Sequence, residues 1–263
     1  MAIIRFYYIV EFLYNIGIPA LAFVAFVLGL ISLTGKNKNV QLLCVWTAVS
    51  AFTTMTAKYS STLMYLYNRG WIFDSDSDGF YEMYRGTVSM IGIGGAFLSV
   101  LGLILMWLYV KRNYNTSFVP LIISLAVLFI SPFISFFYNK LFLAQRDVSD
   151  VQYYTRIVIS SIISMVLGLL ITGMYAVIFM KNKDREKYVP SFWIFRLLEV
   201  VSVGISILLA ILSIVFYQND YYNLVSMIIN FIVSFQIVAA AIYLFLRSKA
   251  DISADSYEAV IEE

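Results

Sequence analysis

Apolar residues run along this chain in seven long blocks, separated by short clusters of charged residues, glycine and asparagine. A helix needs about 20 mostly apolar residues to cross a hydrocarbon core of about 30 Å. Blocks at residues 8–33, 40–65, 87–110, 118–138, 157–180, 192–217 and 224–246 reach that length. The pattern predicts an all-α polytopic integral membrane protein: a seven-helix transmembrane bundle over residues 1–246, followed by a short acidic tail at 247–263. Lipid offers backbone groups no hydrogen-bond partner, so each crossing is expected to be a complete helix. The first block follows Arg5 but is too long for a signal peptide. It ends in Gly35-Lys36-Asn37-Lys38-Asn39 rather than a small-residue cleavage site, so it is expected to stay uncleaved.

Charge between the blocks sets the expected orientation, because basic flanks are retained in the cytoplasm. One side carries Lys36, Lys38, Lys111, Arg112, Lys181, Lys183, Arg185, Lys187, Arg247 and Lys249. The other carries Arg5, Arg69, Arg85, Lys140, Arg146 and Arg156, diluted by acids such as Asp74, Asp76, Asp78 and Glu82. The bias points to an outside N-terminus and a cytoplasmic C-terminus, in a cell (plasma) membrane.

An internal repeat lies on this pattern. The first, third and fifth blocks contain Val27-Leu28-Gly29-Leu30-Ile31, Val100-Leu101-Gly102-Leu103-Ile104 and Val166-Leu167-Gly168-Leu169-Leu170, each followed by a basic turn. The even blocks end alike, at Tyr67-Asn68, Tyr138-Asn139 and Tyr217-Gln218-Asn219. Three tandem helical hairpins plus one helix are therefore expected. Small residues let membrane helices approach closely. Gly29, Gly102 and Gly168, with Gly92, Gly95, Ser99, Ser160 and Ser164, are expected either to pack the odd helices as an inner set or to line a polar path between repeats.

Composition narrows the chemistry. The chain is 61% hydrophobic and 13% charged, with a formal net charge of +2, which shows no global excess suited to nucleic acid. It has no histidine, and Cys44 is its one cysteine. Histidine-ligated haem, catalytic Ser-His-Asp or Cys-His sets and an internal disulfide are thereby excluded. No lysine falls in residues 224–246, so retinal has no Schiff-base partner in the last block. No enzyme chemistry is expected.

The remaining candidates are local. Ionisable groups in a membrane helix are functional candidates by default. Glu11 and Lys58 fall at similar depth near the outer surface, as a pair or as snorkelling groups. Arg196 and Glu199, spaced i and i+3, are expected to form an interfacial salt bridge or a cytoplasmic gate. The run Asp74-Ser75-Asp76-Ser77-Asp78-Gly79 opens like a calcium loop, with Glu82 at its ninth position. Its twelfth position is Arg85 in place of the bidentate glutamate, so at most a weak Ca2+ site at Asp74, Asp76, Asp78 and Glu82 is expected. Most of the 20 tyrosines fall toward the outer side, as an interfacial belt or an aromatic vestibule.

The expected function is a channel or transporter-type permeation protein with its path between helix repeats. Two alternatives stand beside it. One is a non-catalytic scaffold or channel subunit of a larger secretion, conjugation or DNA-uptake complex, and the other is a seven-helix receptor or sensor. The expected partners are the lipid bilayer and either further copies of the chain or other membrane subunits.

Overall fold

A computed structural model describes residues 2–37, 40–72, 78–114, 116–142, 150–181, 192–216 and 219–249. Among them every regular element is a helix. It forms α1 (Ala2–Phe12), a π-helical turn (Leu13–Gly17), α2 (Ile18–Ser32), α3 (Gln41–Asn68), α4 (Asp78–Tyr114), α5 (Val119–Phe142), α6 (Asp150–Lys181), α7 (Phe192–Val215) and α8 (Asp220–Lys249). Five helical stretches are long and apolar enough to cross a membrane: Arg5–Ser32, Gly79–Tyr114, Tyr154–Lys181, Arg196–Val215 and Asp220–Lys249. They coincide with the first, third, fifth, sixth and seventh blocks of the sequence. The block between the first and third is α3, which at 28 residues has the length to cross but carries many Ser and Thr.

The helices form two compact groups, and the last helix contributes to both. The first group holds α1, α5, α6, α7 and the start of α8 as far as Val233. Here α6 packs against both α5 and α7. Tyr175, Ala176 and Phe179 of α6 and Leu209 of α7 are buried in it. The start of α8 is capped by Asn219, whose Oδ1 accepts from the Tyr222 N–H at 3.0 Å; this satisfies one of the amides a helix leaves open at its N-terminus. The Tyr222 hydroxyl donates to the Leu209 carbonyl of α7, and its ring stacks on Phe216 at 5.6 Å.

The second group holds α2, α3, α4 and the end of α8 from Ser234. Here α3 packs against both α2 and α4. Alanines make that approach possible: Ala25 of α2, Ala51 of α3 and Ala241 of α8 form a buried cluster, with Phe26, Leu28, Ile237 and Val238 against it. Pro19 lacks the N–H that would bond the Asn15 carbonyl four residues back. The Thr62 hydroxyl of α3 donates to that carbonyl at 2.7 Å, so the helix irregularity is satisfied across the packing seam.

Both ends of α3 are closed by local chemistry. At its C-terminus Gly70 takes φ +65°, a conformation glycine adopts without steric cost. Its N–H donates to the Tyr67 carbonyl at 2.9 Å and that of Trp71 to the Leu66 carbonyl at 3.0 Å, which is the Schellman arrangement. At the other end, the turn between α2 and α3 docks on the end of α8. Asn37 donates through its backbone N–H to Ser248 at 3.2 Å and through its side chain to the Arg247 carbonyl at 3.4 Å, filling carbonyls that the helix end leaves open.

Large apolar side chains remain exposed along several helices. On α4 these include Met90 at 76%, Ile93 at 73% and Phe97 at 71%, and on α7 Leu198, Val201, Leu208, Ile211 and Val215. Exposed apolar side chains in such rows mark a surface suited to lipid or to another protein chain.

Within the second group the helix flanked on both sides is α3, an even block, and within the first it is α6, an odd block. The three repeat glycines differ in their surroundings. A Cβ on Gly29 would meet Ala48 Cβ at 2.9 Å and Ala48 backbone atoms at 3.1 Å, and one on Gly102 would meet Val49 Cγ1 at 3.3 Å, whereas one on Gly168 meets nothing within 4 Å. The repeated string specifies the glycine, but the neighbour across the seam decides what it does.

Candidate functional site

α3 differs from the helices around it. Its sequence from Gln41 to Asn68 carries Thr47, Ser50, Thr53, Thr54, Thr56, Lys58, Ser60, Ser61 and Thr62, while α2 beside it is apolar except for Ser32. Contacts assign two of its faces. Toward α2 lie Ala48, Ala51, Phe52, whose ring sits 5.5 Å from Phe26, and Thr62. Toward α4 lie Trp46 and Val49 near Gly102, Thr56 beneath Gly95, and Ser60, hydrogen-bonded to the Tyr84 hydroxyl at 2.6 Å.

The third face is polar. At about 100° per residue, Thr47, Ser50, Thr54, Lys58 and Ser61 fall within an arc of about 80°, directed toward neither α2 nor α4. From Thr47 to Ser61 the stripe runs about 21 Å at 1.5 Å per residue, most of a hydrocarbon core. Thr47 is buried at 2% exposure, and its hydroxyl has no hydrogen-bond partner among the described residues. Ser50, Thr54, Lys58 and Ser61 are half-buried. The Thr54 hydroxyl donates to the Ser50 carbonyl at 3.0 Å and that of Ser61 to the Lys58 carbonyl at 2.9 Å. A hydroxyl that donates back to its own helix keeps its oxygen as an acceptor. Thr54 and Ser61 therefore keep acceptor oxygens on a face that also carries one ammonium, which suits water, a polar solute or polar groups of another helix.

Sequence reasoning singled out Lys58 alone from this set. The usable signal was the recurrence of polar residues at 47, 50, 54, 58 and 61, which follows the helical period.

The other expected residues lie on several helices. Asp74 and Asp76 lie outside the described residues, as does the Asp78 side chain, although Asp78 itself is the first residue of α4. Gly79 is helical, and Glu82 is exposed one turn into α4. Glu11 is a half-buried residue of α1 in the first group, and Lys58 belongs to the second. Arg196 and Glu199 do meet: Arg196 Nη2 lies 2.6 Å from Glu199 Oε2, with Arg196 buried and Glu199 partly exposed. Gly95 packs on the Thr56 hydroxyl, and the Ser99 hydroxyl donates to the Gly95 carbonyl at 2.9 Å within α4. Gly92 faces open space. Ser164 is half-buried on α6, and the Ser160 side chain is outside the described residues.

The aromatics at the end of α3 and the start of α4 pack on one another. Tyr67 stacks on Phe80 at 3.8 Å, Phe80 lies 5.7 Å from Tyr84, and Tyr65 meets Trp71 edge-on at 6.1 Å. Phe80 is fully buried. This arrangement closes the end of the group as a packed cap.

No family model, curated protein or solved structure matches this chain. The described residues define an all-helical protein with five helices long and apolar enough to span a membrane.

Proposed function

We propose that the chain is a multi-pass membrane protein that conducts or carries a small polar solute, with the third face of α3 as the polar wall of its route. In this reading α3 and α5 complete seven crossings, the N-terminus lies outside, the basic ends face the cytoplasm of a cell membrane, and the chain performs no covalent chemistry. The observation that supports it is the stripe of Thr47, Ser50, Thr54, Lys58 and Ser61, long enough to cross most of the apolar core and placed on the one face that neither α2 nor α4 covers. A polar face of that length in lipid is costly unless water, solute or another polar surface meets it. The tight seams at Gly29 and Gly95 keep the route away from the α2–α3 and α3–α4 interfaces.

A second reading is favoured by the same stripe and by the exposed apolar faces of α4 and α7: a non-catalytic subunit whose polar face meets another membrane chain. Reconstitution separates them. The purified chain in liposomes is expected to release small ions or polar solutes, and Thr54→Val with Ser50→Ala is expected to change that flux without changing helicity. A silent protein that copurifies from its own membrane with different polypeptides would replace permeation by the subunit reading.

A further inference from the structure

At the basic end of the second group, a cleft of about 410 Å³ is lined by Leu33 from the end of α2, Gln41, Leu42 and Val45 from the start of α3, and Arg112 from the end of α4. Its chemistry is divided. Leu33, Leu42 and Val45 make an apolar wall, and Arg112 and Gln41 supply nitrogen donors. The Gln41 amide donates to the Leu33 carbonyl at 3.5 Å, which leaves its second N–H without a partner among the described residues. Among the described residues no carboxylate lines the cleft.

Arg112 also differs from the cations around it. Lys111 sits over the Trp107 ring at 5.0 Å, Arg247 over Tyr243 at 5.7 Å and Lys249 over Phe245 at 4.2 Å. Arg112 makes no ion pair, hydrogen bond or ring contact among the described residues. Its guanidinium is a planar fork matched to phosphate oxygens.

We infer that this cleft binds the phosphate of an acidic phospholipid, with Arg112 and the Gln41 amide on the phosphate and Leu33, Leu42 and Val45 against the glycerol and first acyl carbons. The volume falls in the range of small-ligand sites. The position suits that occupant, because the cleft joins the ends of helices whose apolar lengths lie in hydrocarbon, the depth at which headgroups sit. The shared chemistry is a phosphate oxyanion, and a free phosphate would use the same donors without needing the apolar wall. The inference rests on membrane insertion and is independent of whether a solute crosses along α3.

The test uses the full chain in nanodiscs of equal phosphatidylcholine and phosphatidylglycerol, released for native mass spectrometry so that retained lipids are counted. The wild type is expected to retain phosphatidylglycerol in preference, and Arg112→Gln to lower that preference about tenfold, the scale of one charge-assisted hydrogen-bonded contact. Arg112→Lys should fall between them. Lys249→Gln removes the same charge away from the cleft and should leave the preference intact. Leu42→Phe, which fills the apolar side and keeps the charge, should also reduce retention. Added inorganic phosphate should not displace the lipid. Equal retention of both lipids by the wild type, equal losses in Arg112→Gln and Lys249→Gln, or displacement by inorganic phosphate would each overturn the assignment.

Discussion

Gly29→Ala and Gly168→Ala are the same substitution in nearly the same five-residue string, yet the packing predicts opposite effects. At Gly29 the new methyl would sit 2.9 Å from Ala48 Cβ and 3.1 Å from its Cα and N, against the 3.5–4.0 Å of a relaxed carbon contact. The obstructing atoms belong to a backbone and a methyl group, so no side chain can swing aside and α2 must move from α3 by about 0.6 Å. Overpacking of this kind costs about 1–3 kcal/mol, and the helical preference for alanine over glycine returns about 1 kcal/mol. The net expectation is destabilisation by about 1 kcal/mol. At Gly168 nothing lies within 4 Å, so only the propensity gain of about 1 kcal/mol remains. The difference of about 2 kcal/mol corresponds to a Tm separation of about 4–8 °C for a chain of this size, read by thermal unfolding in detergent. Ala48→Gly should rescue Gly29→Ala in part, since it removes the methyl at 2.9 Å and leaves the Ala48 Cα and N at 3.1 Å. Equal Tm shifts of the same sign in the two alanine variants would refute the argument.

Three other outcomes follow from single contacts. Thr62→Val should lower stability by about 1 kcal/mol by taking the donor from the Asn15 carbonyl, and Pro19→Ala, which restores a backbone N–H, should reduce that loss in the same unfolding assay. Glu199→Gln should cost about 1–3 kcal/mol, less than a fully buried pair because Glu199 is partly exposed; an Arg196→Met/Glu199→Leu double variant should recover most of it, and failure of both effects would make the pair incidental. Single cysteines placed at Lys36 and at Trp71 should react with an impermeant thiol reagent from opposite sides of the membrane, with Lys36 on the cytoplasmic side; labelling of both from one side would contradict the proposed crossing of α3.

Much of the helical layout was legible because a membrane helix must be apolar over its whole length, and that is a local property of the sequence. Five of the seven blocks meet that criterion in the described helices. The pairing of Arg196 with Glu199 was legible for a similar reason, since i and i+3 residues share one face of a single helix. The fate of Gly29 and Gly168 was not, because it depends on whether Ala48 or open space stands opposite. The α3 stripe was half legible: the period of its polar residues is written in the chain, but its meaning appears only once Ala48, Ala51 and Phe52 are seen toward α2 and Val49, Thr56 and Ser60 toward α4. The cleft at Arg112 was invisible to sequence reasoning, because it joins residues from three helix ends.

The most direct test of the central claim is a cysteine accessibility scan of α3 in a Cys44→Ser background, residue by residue from 46 to 61, with a small water-soluble thiol reagent in sealed native membranes. Reaction is expected at the half-buried stripe positions 50, 54, 58 and 61, with protection at the buried positions 46, 47, 48 and 51. Protection at every stripe position, or reaction without helical period, would contradict a polar route along this face.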